Sequence, residues 1–213
     1  MKRGTLLVCA HRSEGDSILA ERPIAVLGVG KAAAAARLTA LLVAERPPAV
    51  CLFGVCGAFP ARHSVRAPVL EPLDLCVVGD SVLADEGIGT AEGFVDLDRC
   101  GFGTCGPFAA DAALTREAAR ALGLPIVRAA TVSTCSGEDR ASATIAARAN
   151  AQVETMESAA CSLVCAELGV PLLEIRCVSN RTGDRQRGGV VLREAAARAQ
   201  RAVRELLAIG GPG

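Results

Sequence analysis

The sequence contains no tryptophan and no tyrosine, and only two histidines among its 213 residues. It also lacks any Cys-x-x-Cys pair, and most of its ten cysteines sit inside apolar stretches such as "TLLVCA", "DLCVVG" and "SAACSLVCAELG". That pattern offers no metal-ligand set and no disulfide framework; the cysteines read as small reduced core residues. No sign of charge dominates, because Lys plus Arg and Asp plus Glu each number 23 and no long block of like charge occurs. Nothing therefore suggests a nucleic-acid surface or a polybasic membrane patch. A long hydrophobic run is missing too: the start, "MKRGTLLVCAHRSEGDS", holds an apolar run too brief for a secretory or membrane-spanning segment. The expectation is a cytoplasmic protein whose partner is a small molecule or another copy of itself.

What is present is alternation. Apolar runs at 5–9, 24–29, 49–55, 73–79 and 126–132 read as strands, with helical patterns over 31–45, 115–122, 140–148 and 193–207. Strand and helix in turn specify an α/β fold, expected as one domain over 1–213. In "PLLEIRCVS", Leu173, Ile175 and Cys177 share one face of a strand, opposite Glu174 and Arg176. The segment 87–108, "GIGTAEGFVDLDRCGFGTCGPF", is glycine-rich and has neither period, so it reads as a long loop. Five phenylalanines all fall between Phe53 and Phe108. Core packing is the preferred reading, with an apolar pocket or subunit interface as the alternative.

Several polar groups fall where strands end, which is where open α/β sheets bind ligands. Glu14 follows the first strand in "CAHRSEGD". "GVGKAA" (28–33) fits a dinucleotide fingerprint, but no acidic residue ends the next strand, and Lys31 is followed by Ala32 where a phosphate loop needs Ser or Thr. A tight strand-to-helix turn is the favoured reading. "GVCGAF" (54–59) would let backbone amides approach a ligand, as would any simple turn. Glu157 opens an apolar helix in "VETMESAA", where its charge either suits the helix N-terminus or faces a substrate. Arg176, Ser179 and Asn180 in "EIRCVSN" read equally as a salt-bridged strand with a hydrogen-bonded turn, or as polar side chains facing the same cleft as Glu14.

Taken in order, Glu14, "GVGK", "GVCGAF", "TVSTCSG", "VETMESAA" and "VPLLEIRCVSN" resemble the nucleoside phosphorylase and nucleosidase superfamily. The likeness is to the methylthioadenosine/S-adenosylhomocysteine nucleosidase branch, and within it, through "TVST", "ETMESAA" and "EIRCVSNRTGDR", to the futalosine hydrolase family. The resemblance implies a three-layer sandwich with a central mixed β-sheet flanked by helices, and hydrolysis of an N-glycosidic bond without metal or organic cofactor. It implies a homodimer or higher homo-oligomer. By position it makes Glu14 the water-activating base, Met156 and Glu157 the ribose-holding pair, and Arg176 part of the reaction-side network. Ser179, Ser133 and Gly137 fall in the base-binding region, with contacts at the last two partly through the backbone.

Asn180 stands where adenine-cleaving relatives carry an aspartate. An asparagine amide can donate to O6 or N7 of hypoxanthine, where a carboxylate would meet an acceptor with an acceptor. Two further departures are Val55, in the place of a serine of the adenosine-type branch, and "GGVV" after Arg187, where a tryptophan is expected. The loop bearing Phe94, Arg99 and Phe102 is expected to enclose a benzoate-bearing 5′ arm. Alternatives are another purine nucleosidase, a phosphorylase acting on inosine or methylthioadenosine, and a catalytically silent nucleoside- or dinucleotide-binding module.

Overall fold

A computed structural model of the protein describes residues 4–63, 66–184 and 191–209. The element order is β1 (Leu6–Cys9), α1 (Asp16–Leu19), β2 (Ala25–Val26), α2 (Lys31–Glu45), β3 (Val50–Ala58), β4 (Leu75–Leu83), β5 (Gly87–Thr90) and β6 (Gly93–Asp96). It continues through α3 (Leu97–Cys100), β7 (Phe108–Ala109), α4 (Ala112–Leu122), β8 (Ile126–Thr131), α5 (Asp139–Ala149), β9 (Val153–Thr155), α6 (Ser158–Glu167), β10 (Leu172–Arg181) and α7 (Leu192–Ile209).

The central sheet is mixed and flanked by helices, as the sequence leads one to expect. On one side, Val8, Val50, Leu52 and Leu172 pack against Leu38, Leu41 and Leu42 of α2 and Cys161 and Cys165 of α6. On the other, Cys9, Cys51, Phe53, Leu173 and Ile175 pack against Ala118 and Ala119 of α4 and Val203 and Leu206 of α7. Helix α2 owes its length to the alanine-rich run "KAAAAARLTALLVAE", which costs little side-chain entropy, and it stops at Arg46 in the left-handed region (φ 46°). Helix α4 starts at Asp111, whose carboxylate accepts from the Ala113 and Leu114 amides, and ends at Gly123 (φ 65°).

The sheet curls rather than lying open. Strand β3 pairs along one edge with β10, while its other edge bonds β1 in the first half and β9 at Gly57 and Ala58. Strand β10 continues to β4, β4 to β8 and β8 to β9, so the path returns to β3. Cys56, Cys76, Val78, Val127, Val153 and Val178 fill the inside of this closure. Two irregularities bend it, one in β4 between Val78 and Asp80 and one in β10 between Val178 and Asn180. At the second, Val178 pairs with Cys56 and Asn180 with Gly57, leaving Ser179 as the extra residue of a bulge.

Two sequence readings are revised. The run at 24–29 yields only the two-residue β2, because Gly28 (φ 98°) and Gly30 (φ 94°) take the chain out of the sheet. The segment 87–108 is not unstructured: β5 and β6 form an antiparallel hairpin, followed by α3 and β7. Glu174 and Arg176, on the strand face opposite Leu173, Ile175 and Cys177, are both fully buried. The phenylalanines divide, with Phe53 and Phe59 in the core and Phe102 77% exposed. All ten cysteines are free, and burial pushes the thiols of Cys9, Cys51, Cys165 and Cys177 up to about 12, so these remain protonated packing groups.

Candidate active site

A cavity of about 310 Å³ opens at the carboxyl ends of β1, β3 and β10. Its lining includes Glu14, Val55, Met156, Glu157, Ser179 and Asn180, six of the nine site residues expected from sequence. Arg176 lies just beneath, fully buried. Ser133 and Gly137 are outside the lining; the Ser133 amide instead donates to Asp85 Oδ2 at 2.6 Å. The loop after Arg187 lies outside the described residues.

Glu14 is held by its backbone surroundings. A short 3-10 turn, Arg12–Glu14, folds it back so that Oε2 accepts from the amides of Ala10 (3.1 Å) and His11 (3.0 Å). Oε1 accepts from the Val55 amide at 2.9 Å and keeps a second acceptor position. Gly54 makes this approach possible: a Cβ there would lie 2.4 Å from Glu14 Oε1 and 3.0 Å from Arg176 Nη1.

Glu157 stands at the N-cap position of α6 without a side-chain capping bond to the helix, and its Oε1 accepts from the Gly30 amide at 2.9 Å. The "GVGK" turn thus serves as a tight turn, as favoured, and its amide fixes a carboxylate of the cavity. Lys31 points elsewhere, pairing with Asp85 (2.6 Å) and Glu86 (2.9 Å). Burial raises the Glu157 carboxyl above its ordinary value, against the lowering effect of the Arg176 charge and the Gly30 amide. Arg176 Nη2 is 3.8 Å from Glu157 Oε2, an ion pair too long for a hydrogen bond, so desolvation prevails.

Arg176 is the central cation. Its Nε donates to Glu174 Oε1 (2.7 Å) and its Nη1 to the Val55 carbonyl (3.2 Å). Ser158 Oγ donates to the same Glu174 oxygen at 2.5 Å. Burial works against the guanidinium charge, but Glu174, Glu157 and Glu14 together outweigh it and hold the pKa above that of an ordinary arginine. The salt-bridge reading of Glu174 and Arg176 is realised in one buried ion cluster, while Ser179 and Asn180 line the cavity together with Glu14.

Asn180 presents its amide to the cavity. Its Oδ1 accepts from Ser179 Oγ at 2.9 Å, and its Nδ2 donates to the Arg181 carbonyl at 3.0 Å, leaving one N–H to direct at a ligand. Ser179 Oγ is also 3.2 Å from the Cys56 carbonyl, and its single proton serves one acceptor at a time.

Sequence reasoning missed His11, Cys135, Thr155 and Glu154, which also line the cavity. Glu154 had a signal: an acid in the short alternating "VET" directly before the Met-Glu pair. Phe94, Arg99 and Phe102 are not part of the lining; Phe94 instead lies under the Arg148 guanidinium, 3.8 Å from ring centroid to carbon. Among the described residues no group of His, Cys, Asp and Glu could hold a metal ion, and no helix is long and apolar enough to cross a membrane.

The family model of the phosphorylase superfamily matches residues 17–209. The chain belongs to that superfamily. Among curated proteins it is similar to the futalosine hydrolase of Thermus thermophilus, 34% identical over 192 residues that cover 86% of this chain and 80% of the relative. Among solved structures it resembles a futalosine hydrolase mutant of Helicobacter pylori, with a TM-score of 0.78 at 17% identity over 95% of this chain and 97% of that one. A methylthioadenosine/S-adenosylhomocysteine nucleosidase from Colwellia psychrerythraea, in complex with adenine, gives a TM-score of 0.78 at 20% identity over 96% and 94% of the two chains. At such identities the two structures attest the superfamily fold, and the family reading of the sequence agrees with them.

Proposed function

We propose that this superfamily member hydrolyses the N-glycosidic bond of futalosine, releasing hypoxanthine and dehypoxanthine futalosine. The observation that carries the reading is the meeting of Glu14, Glu157 and Asn180 around one cavity, drawn from the 3-10 turn after β1, the N-cap position of α6 and β10. The similarity to a futalosine hydrolase over most of both chains supports the substrate. Cleavage passes through an oxocarbenium-like ribose, which needs a base for water, anchors on the hydroxyls and help for the departing purine.

In this mechanism Glu14 accepts the proton of an attacking water at its open Oε1 position. Glu157, fixed by the Gly30 amide, accepts from the ribose hydroxyls, and Met156 packs on the sugar. The cluster of three carboxylates around one guanidinium leaves net negative charge beneath the sugar, which favours the developing cation. Asn180 donates to the purine as electrons move into the ring, stabilising the leaving base by hydrogen bonding.

Water rather than phosphate is the favoured nucleophile. Glu14, Glu154 and Glu157 line the cavity, and no lysine or arginine does among the described residues. A phosphate dianion would meet like charge there. The direct test is release of hypoxanthine from futalosine in phosphate-free buffer, followed by chromatography. An undiminished rate without phosphate is expected; dependence on phosphate, or adenine from methylthioadenosine as the main product, would overturn the reading.

Glu157 also sets a pH dependence. Its raised carboxyl takes up a proton at higher pH than a free glutamate, and the protonated form is a poorer acceptor for hydroxyl donors. The Michaelis constant should therefore rise as pH falls through that raised value, and Glu157→Gln should erase the limb. The sign for stability is opposite to that of a salt-bridged acid: this group favours the fold at low pH, and that contribution is lost as pH rises through its folded value. A kcat/KM profile with no acidic limb above the ordinary glutamate value of 4.5 would count against a charged Glu157 as the ribose anchor.

The 5′ arm is assigned to the segment of Phe94, Arg99 and Phe102 on a second copy in a homodimer or larger assembly, since Arg99 and Phe102 are exposed in one chain.

A further inference from the structure

We infer that Glu154 reads N1–H of the departing 6-oxopurine, so that base selection rests on Glu154 and Asn180 together; the inference builds on the reading above. The argument comes from the sheet. Gly57 of β3 is paired in register with Glu154 on β9 and with Asn180 on β10. Residues directly opposite each other across neighbouring strands project to the same face. With strands about 4.8 Å apart, the backbones of Glu154 and Asn180 stand roughly 10 Å from each other across the glycine. All three residues line the cavity, and Gly57 puts no side chain between the other two. A Cβ on Gly57 would come within 2.8 Å of Thr182 Cγ2 and 3.5 Å of Asn180 Nδ2, so the floor of the slot is closed to larger residues.

The two walls of the slot differ in hydrogen-bonding sense. Asn180 keeps an N–H to donate, as described. Glu154 is buried, and Ser136 clamps it: the amide donates to Oε1 at 2.9 Å and the hydroxyl to Oε2 at 2.5 Å. An ionised carboxylate only accepts. The edge of hypoxanthine runs acceptor at N7, acceptor at O6 and donor at N1, which matches a donor on one wall and an acceptor on the other. Adenine runs acceptor, donor, acceptor, so its N1 lone pair would face the Glu154 carboxylate. An aspartate-to-asparagine exchange on one wall would change only half of this pattern.

The test is calorimetric titration of wild type, Glu154→Gln and Ser136→Ala with hypoxanthine, adenine and 1-methylhypoxanthine. Free bases remove any dependence on turnover. Wild type should prefer hypoxanthine, and Glu154→Gln should narrow the preference over adenine by about tenfold to a hundredfold, the cost of one mispaired buried group. Ser136→Ala, which loosens the carboxylate without removing it, should narrow it less and in the same direction. An unchanged preference in Glu154→Gln would overturn the inference. So would equal binding of hypoxanthine and 1-methylhypoxanthine to wild type, a result that stands even if the variants fail to fold. Failure of wild type to release hypoxanthine from futalosine would instead sink the functional reading, and the product assay separates the two cases.

Discussion

Replacing Glu14 by glutamine should lower kcat for futalosine by about two to four orders of magnitude, the usual range for loss of a positioned general base. The shape of the side chain is kept, so the Michaelis constant should change far less. The geometry also predicts a secondary cost. Glu14 receives three backbone N–H donors, two on one oxygen and one on the other. Glutamine has a single acceptor oxygen, so at least one of those amides would face an NH₂ group, donor against donor. Melting measurements should show a loss of about 1–3 kcal/mol from the unpaired group. Turnover unchanged in a folded Glu14→Gln protein would remove water activation from this residue.

Arg176→Met should produce the largest change in stability of any single substitution at the site. The guanidinium is fully buried and faces Glu174, Glu157 and Glu14. Removing one partner of a buried ion cluster leaves uncompensated charge in low dielectric, and the expected loss is about 3–5 kcal/mol in denaturant unfolding. Glu174 would lose the donor at 2.7 Å and keep only Ser158. Adding Glu174→Gln to Arg176→Met should recover part of the loss, because the two act on one network. Equal stability of Arg176→Met and wild type would show that the cluster is not electrostatically coupled as its geometry requires. Activity should fall as well, since Glu14 and Glu157 would repel each other across the vacated space.

The elements legible in the sequence were those with a local cause. The Ala-rich helix over 31–45 follows from propensity alone, and its limits were read to the residue. The superfamily was legible because its motifs sit at strand ends in a fixed order. The curl of the sheet was not, because it depends on β3 finding β10 from the far end of the chain and β9 beyond it. Period-2 alternation in "LLEIRC" reports two faces, but it cannot say that the polar pair is buried, with Glu157 and Glu14 acting on Arg176 besides Glu174. Ser133 and Gly137 lie in a loop, and a loop has no period to place its side chains. Glu154 was hidden for a related reason: in a three-residue strand, one acid is as compatible with solvent as with a cavity.

The bulge at Ser179 carries a consequence for how such a site can change over time. Without the bulge, regular pairing of the same sequence would put Ser179 opposite Gly57 and carry Asn180 one step on, to the other face of β10. A hydroxyl would then replace an amide in the slot although no codon had been altered. Base preference in this fold is thus encoded in the pairing register of one strand as well as in the identity of its residues, and a slip of one position at the bulge would recast it as surely as a substitution.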